Sequence, residues 1–206
     1  MDFDEGEIAG GDNSQRLCEL ELELLDGQAA DLLAAARQIA DEVPMRVGVL
    51  SKAERGFALA DGTLGRVNKA VPLAVDARMT VGDAFALIAH ACIRHYRLNE
   101  PLVIATQAPP VLHQARVAMR RLRSAFALFR PAIADGEYLR LREELRWFTS
   151  QLGDARNLDV YLERELQERE RRALMRQRKR AYCQVIAAMG SQRLRDLLLD
   201  LVGWLE

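Results

Sequence analysis

The sequence predicts a mainly α protein, in which an antiparallel helical bundle follows a small N-terminal α+β fragment made of a β-hairpin and a helix. Half of the 206 residues are hydrophobic and only 6% are aromatic, a composition that favours helices. Beyond residue 83, apolar residues recur at helical spacing. The segments between these repeats are short, so we expect neighbouring helices to be antiparallel.

The N-terminal fragment is predicted from an alternating pattern. Residues 18–24 read CELELEL, and this period of two indicates a strand. Together with DFDEGEI from Asp2 and a polar turn, the strand predicts a hairpin. A helix from about 28 to 42 and an extended segment over 45–59 should follow. The row of glutamates faces solvent in the simplest interpretation. Alternatively, its carboxylates hold Mg²⁺ or face cationic side chains.

Residues 61–82 are punctuated by Gly and Pro and are predicted to be a linker. The chain is thereby divided into residues 1–60, the linker, and a helical domain over 83–206. Asp83 is a good N-cap for a first helix ending near residue 98, and 99–110 is expected to be a loop.

The central helix, predicted over 111–131, reads VLHQARVAMRRLRSAFALFRP and ends at Pro131. It has five arginines and one histidine but no acid. One stripe of the helix surface contains His113, Arg116, Arg120, Arg123 and Arg130, and apolar residues form a second stripe. Like charges at i,i+4 destabilise a helix. We therefore expect acids of neighbouring helices or a bound anion to neutralise them.

Two further helices have basic stripes. A third helix is predicted from Glu137 to Gly153, with a continuation after Asp154 in which Asp159 should pair with Arg156. A fourth should begin near Glu168, and a last one should end near residue 205. The additional stripes consist of His90, Arg94 and Arg97 on the first helix and Arg172, Arg176, Lys179 and Arg180 on the fourth. We expect all three stripes to form one positive surface.

The net charge of −1 conceals a polarised chain, because most basic residues lie beyond residue 110. A polyanion partner is therefore compatible with the near-neutral net charge.

Cys92 and Cys183 lie among apolar residues and are expected to be buried thiols in a reducing cytoplasm. No cysteine or histidine spacing indicates a metal site. No apolar run is long enough to span a membrane. The absence of a catalytic triad and of a phosphate-binding loop predicts a protein that is not an enzyme and needs no cofactor.

The central helix and the later segment LRWFTSQLGDARNLDVYLERELQ resemble the CHAD domain, the conserved-histidine α-helical domain. The matching elements are H-Q-x-R-V-x-x-R-R-L-R and L-G-x-A-R-x-L-D-V. The resemblance implies binding of inorganic polyphosphate and association with polyphosphate granules. The family's residues carried over by position are His113, Arg116, Arg120, Arg123, Arg146 and Arg156. CHAD domains typically have two helical halves, and this chain resembles the first. Expected exposure of Trp204 and Leu205 suggests a homodimer that supplies the other half.

Residues 1–60 resemble the C-terminal end of a CYTH domain, the triphosphate tunnel fold. The resemblance rests on the hairpin, the strand CELELEL, the following helix and SKAERGFAL. The family's tunnel is a closed barrel, and two strands do not enclose a triphosphate. We therefore expect a remnant without the family's triphosphatase activity.

Two alternatives to polyphosphate binding remain. RNA would use the same phosphate contacts, but readers of bases add aromatic rings near the basic groove. Here Tyr96, Phe126, Phe129, Phe148 and Tyr182 fall on core stripes, which disfavours nucleic acid. The second alternative is a structural or regulatory module of a CYTH-type triphosphatase, in which the charges are paired internally.

Overall fold

A computed structural model of the protein describes residues 1–205, which form two compact units, Met1–Arg66 and Val67–Leu205. We call these the N-terminal unit and the helical unit. The described residues form seven helices and one two-stranded antiparallel sheet, which confirms the predicted mainly α fold. The division between the units lies within the predicted linker, and residues 61–80 contain neither helix nor strand.

The N-terminal unit begins with the predicted hairpin. Strands β1 (Asp2–Gly10) and β2 (Asn13–Glu21) are antiparallel, and Gly10 lies opposite Asn13. Gly11 has a φ of 60° in the turn, a conformation that glycine adopts freely. The alternating leucines and glutamates predict the strand correctly but not its ends. The predicted strand covers residues 18–24, whereas β2 starts before Cys18 and ends at Glu21.

Two helices follow the hairpin. Helix α1 (Ala29–Glu42) confirms the prediction, whereas α2 (Lys52–Ala60) replaces the second part of the expected extended segment. A capping box starts α2: the Ser51 hydroxyl accepts from the Glu54 N–H at 3.1 Å, and the Glu54 carboxylate accepts from the Ser51 N–H at 2.8 Å. This local signal outweighs the extended pattern.

The acidic row of the hairpin faces cations of α2. Lys52 Nζ lies 2.7 Å from Asp4, 2.8 Å from Glu21 and 3.3 Å from Glu19. Arg55 also pairs with Glu19. The three carboxylates are close enough together to hold a metal ion, but the ammonium group already lies among them. The geometry of this row therefore supports pairing of the carboxylates with cationic side chains.

The helical unit consists of α3 (Val81–Thr106), α4 (Pro109–Ile133), α5 (Tyr138–Leu162), α6 (Glu168–Met189) and α7 (Gln192–Leu205). Helix α4 packs against α3 and α5, and α6 packs against α3, α5 and α7. Helix α5 therefore lies between α4 and α6. The core includes four aromatic side chains that are at most 1% exposed, namely Tyr96, Phe126, Phe148 and Tyr182.

Helix α3 is longer than predicted at both ends. Its N-cap is Thr80, whose hydroxyl accepts from the Asp83 N–H at 3.1 Å, so Asp83 is the third residue of a capping box and not the cap itself. The helix continues through Pro101 to Thr106, and the expected loop over 99–110 is reduced to Gln107 and Ala108. Burial of Asn99, Glu100 and Val103 fixes this segment in the bundle.

Two predicted helix ends lie inside helices. Pro131 is in the last turn of α4, where its ring removes one N–H without stopping the chain before Ile133. Gly153 lies within α5, which runs without a break to Leu162. The prediction at Pro131 is therefore wrong by only two residues. Around Gly153, the buried residues Leu152 and Ala155 pack in the bundle and offset the weak helix preference of glycine.

The C-terminal aromatic residue is not the exposed patch that we expected. Trp204 is partly buried against the core, with its ring centroid 5.7 Å from that of Phe85 and 5.3 Å from that of Phe126. Its indole N–H donates to Asp135 at 2.7 Å. Leu205 is also partly buried. Trp204 and Leu205 therefore do not form the exposed apolar patch from which a homodimer was inferred.

Within residues 1–205, no helix combines the length and the apolar character that crossing a bilayer requires.

Candidate anion-binding site

The basic stripe of α4 borders α5. A Cβ atom on Gly153 of α5 would lie 3.9 Å from Nε of Arg116, so the Arg116 side chain crosses α5 at its glycine. About two helical turns further toward the C-terminus of α4, Arg123 lines a pocket with Arg142 and Arg146 of α5. The antiparallel pairing thus brings cations from two helices together along one line.

His113 lies at the start of this line. Burial lowers the pKa of His113, and the positive charges of Arg156, Arg116 and Arg120 lower it further. The imidazole is therefore predominantly neutral near pH 7. Because the charge of Arg156 acts on His113, the Arg156 guanidinium of α5 lies near the beginning of α4.

Arg116 has a buried donor to offer. Its Nε is shielded from solvent and has no hydrogen-bond partner among the described residues. Buried donors are nearly always paired in folded proteins. An anion bound at this position would satisfy the donor and interact with the charge of the guanidinium group.

The pocket at the other end of the line has a volume of about 320 Å³. Three arginines and three apolar residues line it: Arg123, Phe126, Ala127, Arg142, Leu145 and Arg146. Our sequence interpretation missed Arg142. Its spacing from Arg146 and Arg156 (four and fourteen residues) places all three on one side of a helix, but the sequence gives no sign that this side borders α4.

We call the row formed by the two helices the α4–α5 basic groove; its members are His113, Arg116, Arg120, Arg123, Arg142, Arg146 and Arg156. From His113 to Arg123 it extends roughly 15 Å along α4, at 1.5 Å per residue. Arg156 lies 3.3 Å from Glu163 and Arg146 lies 3.6 Å from Glu143. The other four arginines of the groove have no ion pair with any carboxylate of residues 1–205.

The α3 stripe does not reach the surface as a whole. His90 and Arg94 are exposed, whereas Arg97 is 7% exposed and pairs with Glu100, which is 1% exposed. Helical spacing alone could not show that Arg97 points into the bundle. Arg97 is therefore removed from the candidate surface, and its charge is matched internally.

The α6 stripe lies on the outer side of its helix, away from Tyr182 and Val185 of the core. Arg172 pairs with Glu168 at 2.7 Å, whereas Arg176, Lys179 and Arg180 are exposed and have no ion pair within the described chain. Because α5 lies between α4 and α6, these cations are not members of the groove. Arg130, in the last turn of α4, is exposed and likewise forms no ion pair with residues 1–205.

Asp159 does not pair with Arg156 as predicted. Its carboxylate accepts from Nε of Arg178 at 2.7 Å and from the Tyr182 hydroxyl at 2.8 Å, both on α6. Burial raises the pKa of Tyr182, and the negative charge of Asp159 raises it further. Arg178 also donates to the Gln107 carbonyl at 2.7 Å. This network connects α5, α6 and the turn between α3 and α4.

The cysteines differ in environment. Cys92 is buried, which raises the pKa of its thiol, as predicted for a core residue. Cys183 is exposed, contrary to the prediction, because it lies on the outer side of α6.

The fold and the groove thus define an all-helical domain with a positively charged seam between two antiparallel helices. The sequence model of the CHAD domain matches residues 87–206, more than half of the chain, and the chain belongs to this family. The crystal structure of the CHAD domain from the plant Ricinus communis is similar, with a TM-score of 0.58 and 33% sequence identity. The match covers 68% of this chain and 50% of that one, so this chain spans about half the length of the solved relative.

Proposed function

We propose that this protein binds inorganic polyphosphate through the α4–α5 basic groove. The observation that carries the proposal is the convergence of six arginines and one histidine from two helices, four of these arginines having no carboxylate partner within residues 1–205. Such a row suits a chain of repeated phosphates, because each guanidinium stays charged and donates in a planar fork.

The side chains around the groove favour a polyanion without bases. Phe126 forms part of the pocket wall but is only 1% exposed, and Phe148 of α5 is fully buried. Proteins that bind single-stranded nucleic acid usually present such rings to stacked bases. RNA therefore serves as the competitor that tests the proposal.

The test is a titration of the purified protein with long-chain polyphosphate, repeated at increasing salt and in the presence of RNA. We expect R116E/R120E to weaken binding at least about 100-fold, because two charge-assisted hydrogen bonds contribute about 1.5 kcal/mol or more each. R16E/R66E, in the N-terminal unit, makes the same change in net charge and should bind within about twofold of the parent.

Circular dichroism of each variant establishes that the helical unit is folded. Equal affinity for RNA, or equal loss in the two double variants, would contradict the proposal. R176E/R180E tests the α6 stripe separately. Because those residues lie outside the groove, we expect a loss at least tenfold smaller than that of R116E/R120E.

The same proposal assigns binding and not hydrolysis to the groove, so no orthophosphate should be released from bound polyphosphate. It also implies association with polyphosphate granules, which co-sedimentation of the parent and R116E/R120E with isolated granules would test. Correspondence of residues 1–60 to the C-terminal part of a CYTH domain is proposed on the sequence resemblance alone.

A further inference from the structure

We propose that the groove is divided into unequal parts: the pocket of Arg123, Arg142 and Arg146 holds a short phosphate chain, whereas the part around Arg116 and His113 is engaged only by longer chains. This inference rests on the proposed function and deepens it. It makes Arg142 a binding residue and the distance along α4 a determinant of chain-length preference.

The pocket is the concave part of the groove. Its volume of about 320 Å³ lies at the lower end of the range of ligand pockets, roughly 300–1,000 Å³. Three guanidinium groups from two helices line it, so an anion inside is contacted from both sides. These dimensions suit a few phosphate groups and not an extended chain.

The charges in the pocket are available to a ligand. Arg123 and Arg142 have no ion pair with the described residues. Arg146 lies 3.6 Å from Glu143, and both side chains are more than half exposed, at 68% and 56%. Exposed pairs of this kind are weak, so a phosphate group displaces Glu143 at little cost.

The opposite part of the groove is less complete as a site for a small anion. Arg156 already pairs with Glu163 at 3.3 Å, and burial, together with the positive charges of its neighbours, lowers the pKa of His113. Arg116 retains a buried donor without a partner among residues 1–205. From Arg123, Arg116 is about 10 Å away along the helix, a span that a three-phosphate chain seated in the pocket does not cover.

The experiment compares inorganic triphosphate with long-chain polyphosphate by isothermal titration calorimetry on the full chain. For R142Q we expect the affinity for both ligands to fall by about tenfold or more. For R116Q we expect the loss with the long chain to be at least about fivefold greater than the loss with triphosphate. R146Q, at a largely exposed side chain, is a second pocket variant that should behave like R142Q, and R16Q is the control.

The outcomes separate the two proposals. If the parent protein does not bind long-chain polyphosphate, the proposed function fails. If it binds the long chain but not triphosphate, or if R116Q weakens both ligands equally, the division of the groove is wrong and the function stands. If R142Q and R146Q remain folded by circular dichroism and bind triphosphate as the parent does, the pocket is not the short-chain site.

Discussion

Removal of the Asp159 carboxylate should destabilise the helical unit more than any change at an exposed acid. The carboxylate accepts from Arg178 at 2.7 Å and from the Tyr182 hydroxyl at 2.8 Å. Arg178 also donates a hydrogen bond to the Gln107 carbonyl. In D159A, the Arg178 guanidinium and the buried Tyr182 hydroxyl both lose their acceptor, so these two hydrogen bonds between α5 and α6 are lost.

The size of the expected loss in unfolding free energy follows from the burial of the Asp159–Arg178 pair. The side chain of Asp159 is 0% exposed and that of Arg178 is 17% exposed. Removing one partner of a buried ion pair costs about 3–5 kcal/mol. Because Arg178 retains the Gln107 carbonyl and some contact with solvent, we expect D159A to lower the free energy of unfolding by about 3 kcal/mol. Y182F removes only one hydrogen bond and should cost about 1 kcal/mol.

Urea unfolding followed by circular dichroism measures these differences, and thermal unfolding of D159A should show a Tm lower by about 10 °C. Asp154, also on α5, is exposed and forms no ion pair within residues 1–205. D154A should therefore remain within about 0.5 kcal/mol of the parent. A D159A protein as stable as D154A would show that the network does not brace the bundle.

Further predictions concern three other parts of the chain. A Cβ on Gly10 would lie 2.6 Å from the Gly56 carbonyl oxygen. In urea titrations, G10A should therefore lower the unfolding free energy of the N-terminal unit by about 1–3 kcal/mol. G6A should leave this free energy unchanged, because the space around Gly6 is open. A maleimide should label Cys183 in the native protein and leave Cys92 unmodified until the chain unfolds, as peptide mass spectrometry would show. A phosphate chain beside His113 should raise the lowered pKa of this histidine, so that binding is accompanied by uptake of a proton. Long-chain polyphosphate should therefore bind more tightly as pH falls from 7.5 to 6. The H113Q variant should show a weaker pH dependence of the affinity.

Local signals in the sequence located most elements but not their ends. The alternation in residues 18–24 predicted β2, and the apolar repeats predicted the bundle helices. The errors occurred where packing decided the outcome. Pro101 and Gly153 are weak helix residues in isolation, yet both lie inside helices because the turns around them are buried. The starts of α2 and α3 do have a local signal, because S-x-x-E at Ser51 and T-x-x-D at Thr80 are capping boxes.

Helical periodicity shows which residues share a face, but it does not show what that face meets. Arg94 and Arg97 are three residues apart and share one predicted stripe, yet Arg97 is buried against Glu100 and Arg94 is exposed. An arginine enters a helical core when a carboxylate accompanies it, and Glu100 follows Arg97 by three residues. A nearby acid on the inner side of a helix is therefore the signal that distinguishes a structural arginine from one available to a ligand.

The site itself depends on the pairing of α4 with α5, which neither helix specifies alone. His113 is near Arg156, Arg116 crosses Gly153, and Arg123 faces Arg146. Each step toward the C-terminus of α4 thus corresponds to a step toward the N-terminus of α5. A shift of one helical turn would move Arg116 from the glycine to a larger residue and separate the pocket arginines. The family resemblance identified residues on both helices, but the antiparallel register converts them into a groove and brings in Arg142, which the sequence motif did not include.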